Sequence, residues 1–125
     1  MKYLLDTHIL IWFLQGNKNL KNSLREIIES PENEILLSVV NGIEISIKSR
    51  SGKLRLNATL KTIFEKSGFG ILSIDLNHIL EFNRLPVRSD HKDPFDRMLV
   101  SQALVENCIL ITTDVKIKKY KVATL

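Results

Sequence analysis

The chain has 125 residues, 44% of them hydrophobic, which is enough to bury the core of a single domain over residues 1–125 but too little for two. One cysteine, Cys108, excludes an internal disulfide and a cysteine-based zinc site, and without a signal sequence or a long apolar run we expect a cytoplasmic protein with no membrane span. The formal net charge of +4 suits a polyanionic partner and equally an ordinary basic surface.

The first predicted element is a short buried strand that ends on an acid. Lys2–Leu5 is an apolar run without helical periodicity, and Asp6 follows it directly. Residues 9–14 predict a helix that is apolar on almost every face and stops at Gly16, so it is either fully buried or half covered by another subunit. Asp6 is therefore placed at the carboxyl end of a strand.

A helix, a strand and a second helix are predicted next. Residues 19–30 have one polar and one apolar face, as expected of a scaffold helix. Glu34–Ser38 reads as a second buried strand. Ser38 can cap a helix over Val39–Arg50, with Gly52 past its end. This helix contains the second acid of interest.

Glu44 lies on that helix beside its apolar stripe. Its position, four residues after Val40 and three before Ile47, places the carboxylate at the edge of the stripe and predicts that it faces partly inward. In the alternative, Glu44 is exposed and pairs with Lys48 at i,i+4, which is worth roughly a few tenths of a kcal/mol. Periodicity alone does not decide whether Glu44 faces inward or pairs with Lys48. The apolar stripe, which we expect to face inward, consists of Val39, Val40, Ile43 and Ile47.

The middle of the chain contains a basic loop. Lys48, Arg50, Lys53 and Arg55 lie in or beside residues 51–56, where they could meet phosphates, although a solvated charged face is the commoner explanation. Beyond the loop, the pattern predicts a helix over residues 57–66 capped by Asn57, a strand over 69–74, a helix over 75–84 and a loop over 85–92.

The next helix has a strong start signal and carries an acid toward the interior. Asp93 can accept from free backbone N–H groups and Pro94 suits the first helical position, so the helix is predicted to begin at Pro94, with Asp93 more readily a cap than a metal ligand. Asp96 recurs at helical spacing with Leu99 and Ala103, on the inward face. A lone buried carboxylate is costly or takes up a proton, so Asp96 needs a basic partner or a cation with further ligands.

The last buried strand also ends on an acid. Residues 108–114 form an apolar run that finishes at Asp114, and Thr112 lies on the same strand face as Asp114, where its hydroxyl could orient a ligand. The remaining residues predict a short basic helix over 115–120 and a possible edge strand over 121–125.

Buried strands that alternate with helices predict an α/β domain with a mostly parallel sheet. The crevice beyond the carboxyl ends of such strands is where ligands bind, and Asp6, Glu44, Asp96 and Asp114 can all reach it. Four acids in one crevice repel one another unless a divalent cation lies between them, and oxygen ligands favour Mg²⁺ or Mn²⁺. Such an ion can activate water for attack on a phosphodiester, whereas no glycine-rich phosphate loop indicates a nucleotide cofactor.

Four segments of the chain, taken together with their order and spacing, match a known family. They are Tyr3-Leu4-Leu5-Asp6-Thr7-His8, Ser38 through Glu44 to Lys48 with Gly52-Lys53-Leu54, His91-Lys92-Asp93-Pro94-Phe95-Asp96-Arg97, and Leu110-Ile111-Thr112-Thr113-Asp114. Together they resemble the PIN-domain ribonucleases, and in particular the VapC-like toxins of type II toxin–antitoxin pairs. The likeness spans nearly the whole chain.

The resemblance implies a three-layer α/β/α sandwich and a Mg²⁺- or Mn²⁺-dependent endoribonuclease that acts on RNA and leaves a 5′-phosphate. The four acids of the family map to Asp6, Glu44, Asp96 and Asp114, and the threonine of the last motif maps to Thr112. The resemblance also implies a homodimer and a cognate VapB-like antitoxin whose tail enters the site.

The chain departs from the family pattern at two places. Similar proteins often carry Trp just before the helical Glu, whereas Gly42 and Ile43 precede Glu44 here. A glycine inside a helix costs about 1 kcal/mol relative to alanine, so the helix is expected to be weakened or closely approached at this point. Lys121 follows Tyr120 where similar proteins often have proline.

Other functions remain open on the sequence. The changed surroundings of Glu44 motivate a non-catalytic PIN-fold module that binds RNA or a partner protein, and a weaker alternative is a phosphatase or a nuclease acting on small substrates or DNA. Arg97 could pair with an active-site acid or with a phosphate, and the sequence does not decide. His8 and His91 could contact RNA, although a structural role is the commoner one for such residues.

Overall fold

A computed structural model of residues 1–125 places four short parallel strands in one central sheet. The strands are β1 (Lys2–Leu5), β2 (Glu34–Ser38), β3 (Gly70–Leu72) and β4 (Ile109–Ile111), and they lie side by side in the order β3-β2-β1-β4. Tyr3 of β1 lies opposite Ile35 of β2 and Ile109 of β4, so the carboxyl ends share one edge of the sheet. The predicted α/β class with a parallel sheet is confirmed.

Helices cover both faces of this sheet. They are α1 (Thr7–Gln15), α2 (Asn22–Glu29), α3 (Val39–Arg50), α4 (Leu60–Lys66), α5 (Leu76–Arg84) and α6 (Pro94–Glu106). Because side chains alternate along a strand, Tyr3 and Leu5 pack in the core beneath α1 and α2, whereas Leu4 packs on the other face with Leu99 and Val100 of α6. The result is the predicted α/β sandwich. No helix has both the length and the apolar composition that a membrane crossing requires.

The inward face of α3 differs from the predicted stripe. Val40 is buried, but the side chains of Ile43 and Ile47 are 44% and 52% exposed. The buried face instead contains Asn41, which donates hydrogen bonds to the carbonyl of Leu5 and to the hydroxyl of Thr7. The stripe prediction was wrong because the face of α3 that is buried combines these polar contacts of Asn41 with the apolar side chains of Val40 and Ile45, which leaves Ile43 and Ile47 outside.

The Phe64 ring packs close to Gly42, which confirms the close approach expected from a glycine inside a helix. A Cβ atom built on Gly42 would lie 3.3 Å from the Phe64 ring of α4. The absence of a side chain at position 42 therefore lets α4 pack directly against α3.

Several predicted boundaries were wrong. The helix predicted from Asn57 begins at Leu60, because the hydroxyl of Thr59 accepts from the backbone N–H of Thr62 over 3.2 Å. The predicted strand over residues 69–74 is limited to Gly70–Leu72, and the predicted helix over 115–120 is a 3₁₀ turn at Ile117–Lys119. Residues 121–125 do not form a full strand but one parallel bridge, between Thr124 and Leu110.

Candidate active site

The four acids singled out by the sequence line one pocket. Asp6 directly follows β1, Glu44 lies on α3, Asp96 lies in the first turn of α6 and Asp114 follows β4. The pocket has a volume of about 350 Å³, and no hydrophobic residue lines it. The other lining residues are His8, Lys48, Asp90, His91, Lys92, Asp93 and Lys116.

Thr112 holds Asp6 at the end of β1. Its hydroxyl donates to Asp6 Oδ2 over 2.7 Å and accepts from the backbone N–H of Asp114 over 3.0 Å. Asp6 is only 4% exposed. Burial raises the pKa of Asp6, the Thr112 hydrogen bond opposes that rise, and the charge of Asp114 adds to it. The two acids that follow adjacent strands are thus linked through one hydroxyl.

Thr7 plays the corresponding part for Glu44. Its hydroxyl donates to Glu44 Oε1 over 2.6 Å and accepts from Asn41 Nδ2 over 2.9 Å. Glu44 is 8% exposed and makes no ion pair with Lys48, so the alternative of an exposed Glu44–Lys48 pair is wrong. Burial raises the pKa of Glu44 to about 7; the Thr7 hydrogen bond lowers it, and the charges of Asp96 and Asp6 raise it.

Asp96 contacts a buried histidine. His91 Nε2 lies 3.1 Å from Asp96 Oδ2. Burial raises the pKa of Asp96, the hydrogen bond from His91 opposes the rise, and the charges of Asp6, Asp93 and Asp114 add to it. Asp93 caps α6, since its Oδ1 accepts from the backbone N–H groups of Phe95 and Asp96 over 2.9 and 3.3 Å. The cap fixes the turn on which Asp96 stands.

Arg97 points away from the acids. Its Nη1 donates to the carbonyl of Pro86 and to the hydroxyl of Tyr120, each over 2.9 Å, and it forms no ion pair with a carboxylate. The sequence left open whether Arg97 pairs with an active-site acid or with a phosphate. The structure shows no pair with an active-site acid. Its contact with the site runs through Tyr120 and His91.

The supporting residues Thr7, Asn41 and Tyr120 were missed by the sequence analysis. Asn41 carried a usable signal, because a polar residue three positions after the helix cap Ser38 can return a hydrogen bond to the cap, and Asn41 Oδ1 accepts from Ser38 N over 2.8 Å. Nothing local to Thr7 indicated its bond to Glu44, which lies 37 positions away.

No lysine or arginine neutralises the four acids. Lys48, Lys92 and Lys116 line the pocket, yet none has its ammonium within 4.0 Å of a carboxylate oxygen of the site. One oxygen of each of the four carboxylates accepts a hydrogen bond from the protein, and the other accepts none from a side chain. Burial first, and then the charges of the neighbouring acids, raise the pKa values of Asp6, Glu44 and Asp96.

This donor set fits a hard divalent cation. All four candidate ligands supply carboxylate oxygens, which Mg²⁺ and Mn²⁺ prefer. Within this pocket, potential ligand atoms of His91, Asp96 and Asp114 lie within 4.8 Å of one another. Asp6 and Glu44 are not part of that group of three but are near enough for the charge of Asp6 to raise the pKa of both Glu44 and Asp96.

Comparison with known protein families identifies a match over most of the chain. The family model described as the PIN domain matches residues 3–123. Comparison with curated proteins gave no match.

Solved structures of three bacterial complexes have the same fold. VapBC2 from Rickettsia felis, solved with a DNA fragment from its promoter, is 17% identical with a TM-score of 0.69, covering 100% of this chain and 98% of that one. VapBC-1 from nontypeable Haemophilus influenzae is 20% identical with a TM-score of 0.69 and coverage of 100% and 97%. A toxin–antitoxin complex from Klebsiella pneumoniae is 21% identical with a TM-score of 0.67 and coverage of 98% and 95%.

Proposed function

The chain belongs to the PIN-domain family, and on that premise we propose that it is a Mg²⁺- or Mn²⁺-dependent endoribonuclease, the VapC-like toxin of a toxin–antitoxin pair. Nuclease activity is typical of the family. The observation that carries the proposal is the convergence of Asp6, Glu44, Asp96 and Asp114 on one polar pocket in which no lysine or arginine forms an ion pair with them.

The four acids are the proposed metal ligands. Their oxygens would hold a divalent ion, which when bound would lower the pKa of a water molecule and offset negative charge at the phosphodiester. Thr112 and Thr7 keep Asp6 and Glu44 in place through hydrogen bonds of 2.7 and 2.6 Å, so neither carboxylate has to reorient when a substrate arrives. No serine, threonine or cysteine lines the pocket, so attack by water is the reaction that we assign to it, and this reaction does not need the RNA 2′-hydroxyl.

The rim of the pocket suits a phosphate backbone. Lys48, Lys92 and Lys116 line the pocket and form no ion pair with its acids, so their ammonium groups remain available to phosphates. The chain as a whole carries a net charge of +4. An acidic centre within a basic rim can attract a polyanion and still keep its own ligands for a cation.

We also propose a cognate VapB-like antitoxin and a second copy of this chain as partners. The structural relatives were solved as toxin–antitoxin complexes. The protein has an exposed apolar surface made by Ile43 and Ile47 of α3 with Leu60 of α4. Such a contiguous apolar surface, next to a charged pocket, is typical of a face that is covered in a complex.

A cleavage assay tests the enzymatic proposal. Purified protein is expected to cut a structured RNA with Mg²⁺ or Mn²⁺, to be inactive with EDTA, and to leave a DNA of the same sequence intact. Binding of RNA without cleavage under any divalent ion would support the non-catalytic module instead. Equal cleavage of RNA and DNA would favour the broader nuclease.

A further inference from the structure

His91 connects Asp96 to a buried chain of hydrogen bonds. Its Nε2 lies 3.1 Å from Asp96 Oδ2, and its Nδ1 lies 2.9 Å from the hydroxyl of Tyr120. Arg97 Nη1 donates to the same hydroxyl over 2.9 Å. His91 and Tyr120 are both buried. The four residues therefore form one continuous network that ends at an acid of the pocket.

The partners of Tyr120 determine which nitrogen of His91 carries the proton. Arg97 already donates to the hydroxyl oxygen of Tyr120, and the only acceptor beside the hydroxyl proton is His91 Nδ1. Tyr120 therefore donates to Nδ1, and the ring proton lies on Nε2, facing Asp96. The opposite tautomer would set a nitrogen lone pair against a carboxylate oxygen and leave the Tyr120 proton without an acceptor.

Arg97 is itself held firmly. Besides Tyr120, it donates to the carbonyls of Pro86 and Leu85 over 2.9 and 3.5 Å. Its guanidinium carbon lies 5.7 Å from the centre of the Phe82 ring. Contacts with the end of α5 and the following loop thus fix the donor that sets the orientation of the Tyr120 hydroxyl.

We propose that His91 is a positioning residue for Asp96: its Nε2–H binds Oδ2, so that Oδ1 is the oxygen offered to a divalent cation, while Tyr120 and Arg97 fix the imidazole. The inference rests on the proposed function only in requiring that the acids hold such a cation. It does not depend on RNA being the substrate. With the proton on Nε2, His91 offers the ion no lone pair, although its nitrogen lies within 4.8 Å of the ligand oxygens of Asp96 and Asp114.

His78 provides a matched control. It is fully buried, its Nδ1 accepts from the backbone N–H of Asp75 over 3.0 Å, and its Nε2 lies 2.8 Å from Glu106 Oε2. It therefore joins a backbone group to a carboxylate in the same way as His91 joins Tyr120 to Asp96, but it does not line the acid pocket. A loss that reflects only the removal of a buried histidine will appear in both variants.

The test is Mn²⁺ affinity, measured by electron paramagnetic resonance titration on folded variants. His91→Ala is expected to weaken Mn²⁺ binding roughly 10-fold or more, the usual effect of removing a group that orients a metal ligand. His91→Gln should recover most of the loss, because its amide can donate to Asp96. Tyr120→Phe, which keeps the ring, should give a smaller loss, and His78→Ala should leave the affinity unchanged.

A second readout is the tautomer itself, observed by long-range ¹H–¹⁵N correlation in protein labelled at its three histidines. Nε2 of His91 should stay protonated with and without Mg²⁺, and Tyr120→Phe should produce a mixture of tautomers. Unchanged Mn²⁺ affinity in His91→Ala and Tyr120→Phe, or a shift of the proton to Nδ1 on adding Mg²⁺, would overturn the inference. If the wild type binds Mn²⁺ but does not cleave RNA, only the proposed function fails; if it binds none, both fail.

Discussion

The hydroxyl of Thr112 donates to Asp6 Oδ2 over 2.7 Å and joins two residues that are 106 positions apart in the chain. The same hydroxyl accepts the backbone N–H of Asp114. One side chain thus sets the spacing of the two acids that follow the adjacent strands β1 and β4.

Thr112→Val removes this hydroxyl while keeping the shape of the side chain. Asp6 loses a hydrogen bond to a charged group, which is worth about 1.5–3 kcal/mol, and its pKa should rise further because that bond opposes the effect of burial. We expect weaker Mn²⁺ binding and a lower kcat, with Thr112→Ser close to wild type. The exposed neighbour Thr113 provides the control: Thr113→Val should change neither quantity. Equal behaviour of the two valine variants would contradict this role of Thr112.

Glu44 predicts a specific pH dependence of stability in metal-free protein. Its pKa is raised from 4.5 to about 7, so between these values the folded state holds a proton that the unfolded state has lost. The stability contributed by the protonated carboxyl is therefore full below about pH 4.5 and is lost as the pH rises to about 7. The pKa values of Asp6 and Asp96 are also raised, so these two residues change the stability in the same direction.

Urea unfolding in EDTA at a series of pH values measures this effect. The free energy of unfolding of the wild type should fall across that interval, and Glu44→Gln should show a shallower fall and exceed the wild type at pH 8. Saturating Mg²⁺ should restore the free energy of unfolding that the wild type loses at high pH. If the curves of the two proteins in EDTA were parallel, the pKa of Glu44 would not be raised by burial and neighbouring charge.

Gly42 predicts a size limit at the contact of α3 with α4. A Cβ atom there would lie 3.3 Å from the Phe64 ring, so alanine gains up to about 1 kcal/mol of helix propensity but crowds the ring. We expect Gly42→Ala to be nearly neutral and Gly42→Val to destabilise by about 1–3 kcal/mol through overpacking. Denaturant unfolding of both variants, alone and with Phe64→Leu, is the measurement. Failure of Phe64→Leu to relieve Gly42→Val would place the strain elsewhere.

Local patterns predicted the positions of three acids well. The short apolar runs that end at Asp6 and Asp114 correspond to strands β1 and β4. The Asp93-Pro94 pair marks the start of α6, and Asp96 lies in the first turn of that helix. In each case the signal lies within a few residues, because strand ends and helix caps are determined by local backbone requirements.

The rotation of α3 and the contacts that hold the acids could not be predicted in this way. Periodicity assigns apolar residues to the inward face, but Asn41 is buried for its hydrogen bonds to Leu5 and Thr7, and Ile43 turns outward. The bonds from Thr7 to Glu44 and from His91 to Tyr120 join distant segments, so they depend on the assembled sheet. Residues 121–125 likewise pair with β4 through Leu110 only once the sheet exists.

Asp6→Asn and Asp96→Asn test the contribution of individual acids to catalysis. Each substitution removes a charge but keeps the shape, so we expect loss of most RNA cleavage with retained folding and RNA binding. Asp75→Asn is the matched control, because Asp75 caps α5 away from the pocket and asparagine caps a helix equally well. Cleavage that persists in both pocket variants would exclude this site.

The most direct test of the central claim, that four acids from separate elements form one cation site, is the anomalous scattering of a crystal soaked in Mn²⁺. We predict a peak bonded to oxygens of Asp6, Asp96 and Asp114, with Glu44 in direct or water-mediated contact. A peak confined to the other cluster of potential ligands, Asp75, His78 and Glu106, or no peak at saturating Mn²⁺, would contradict the account.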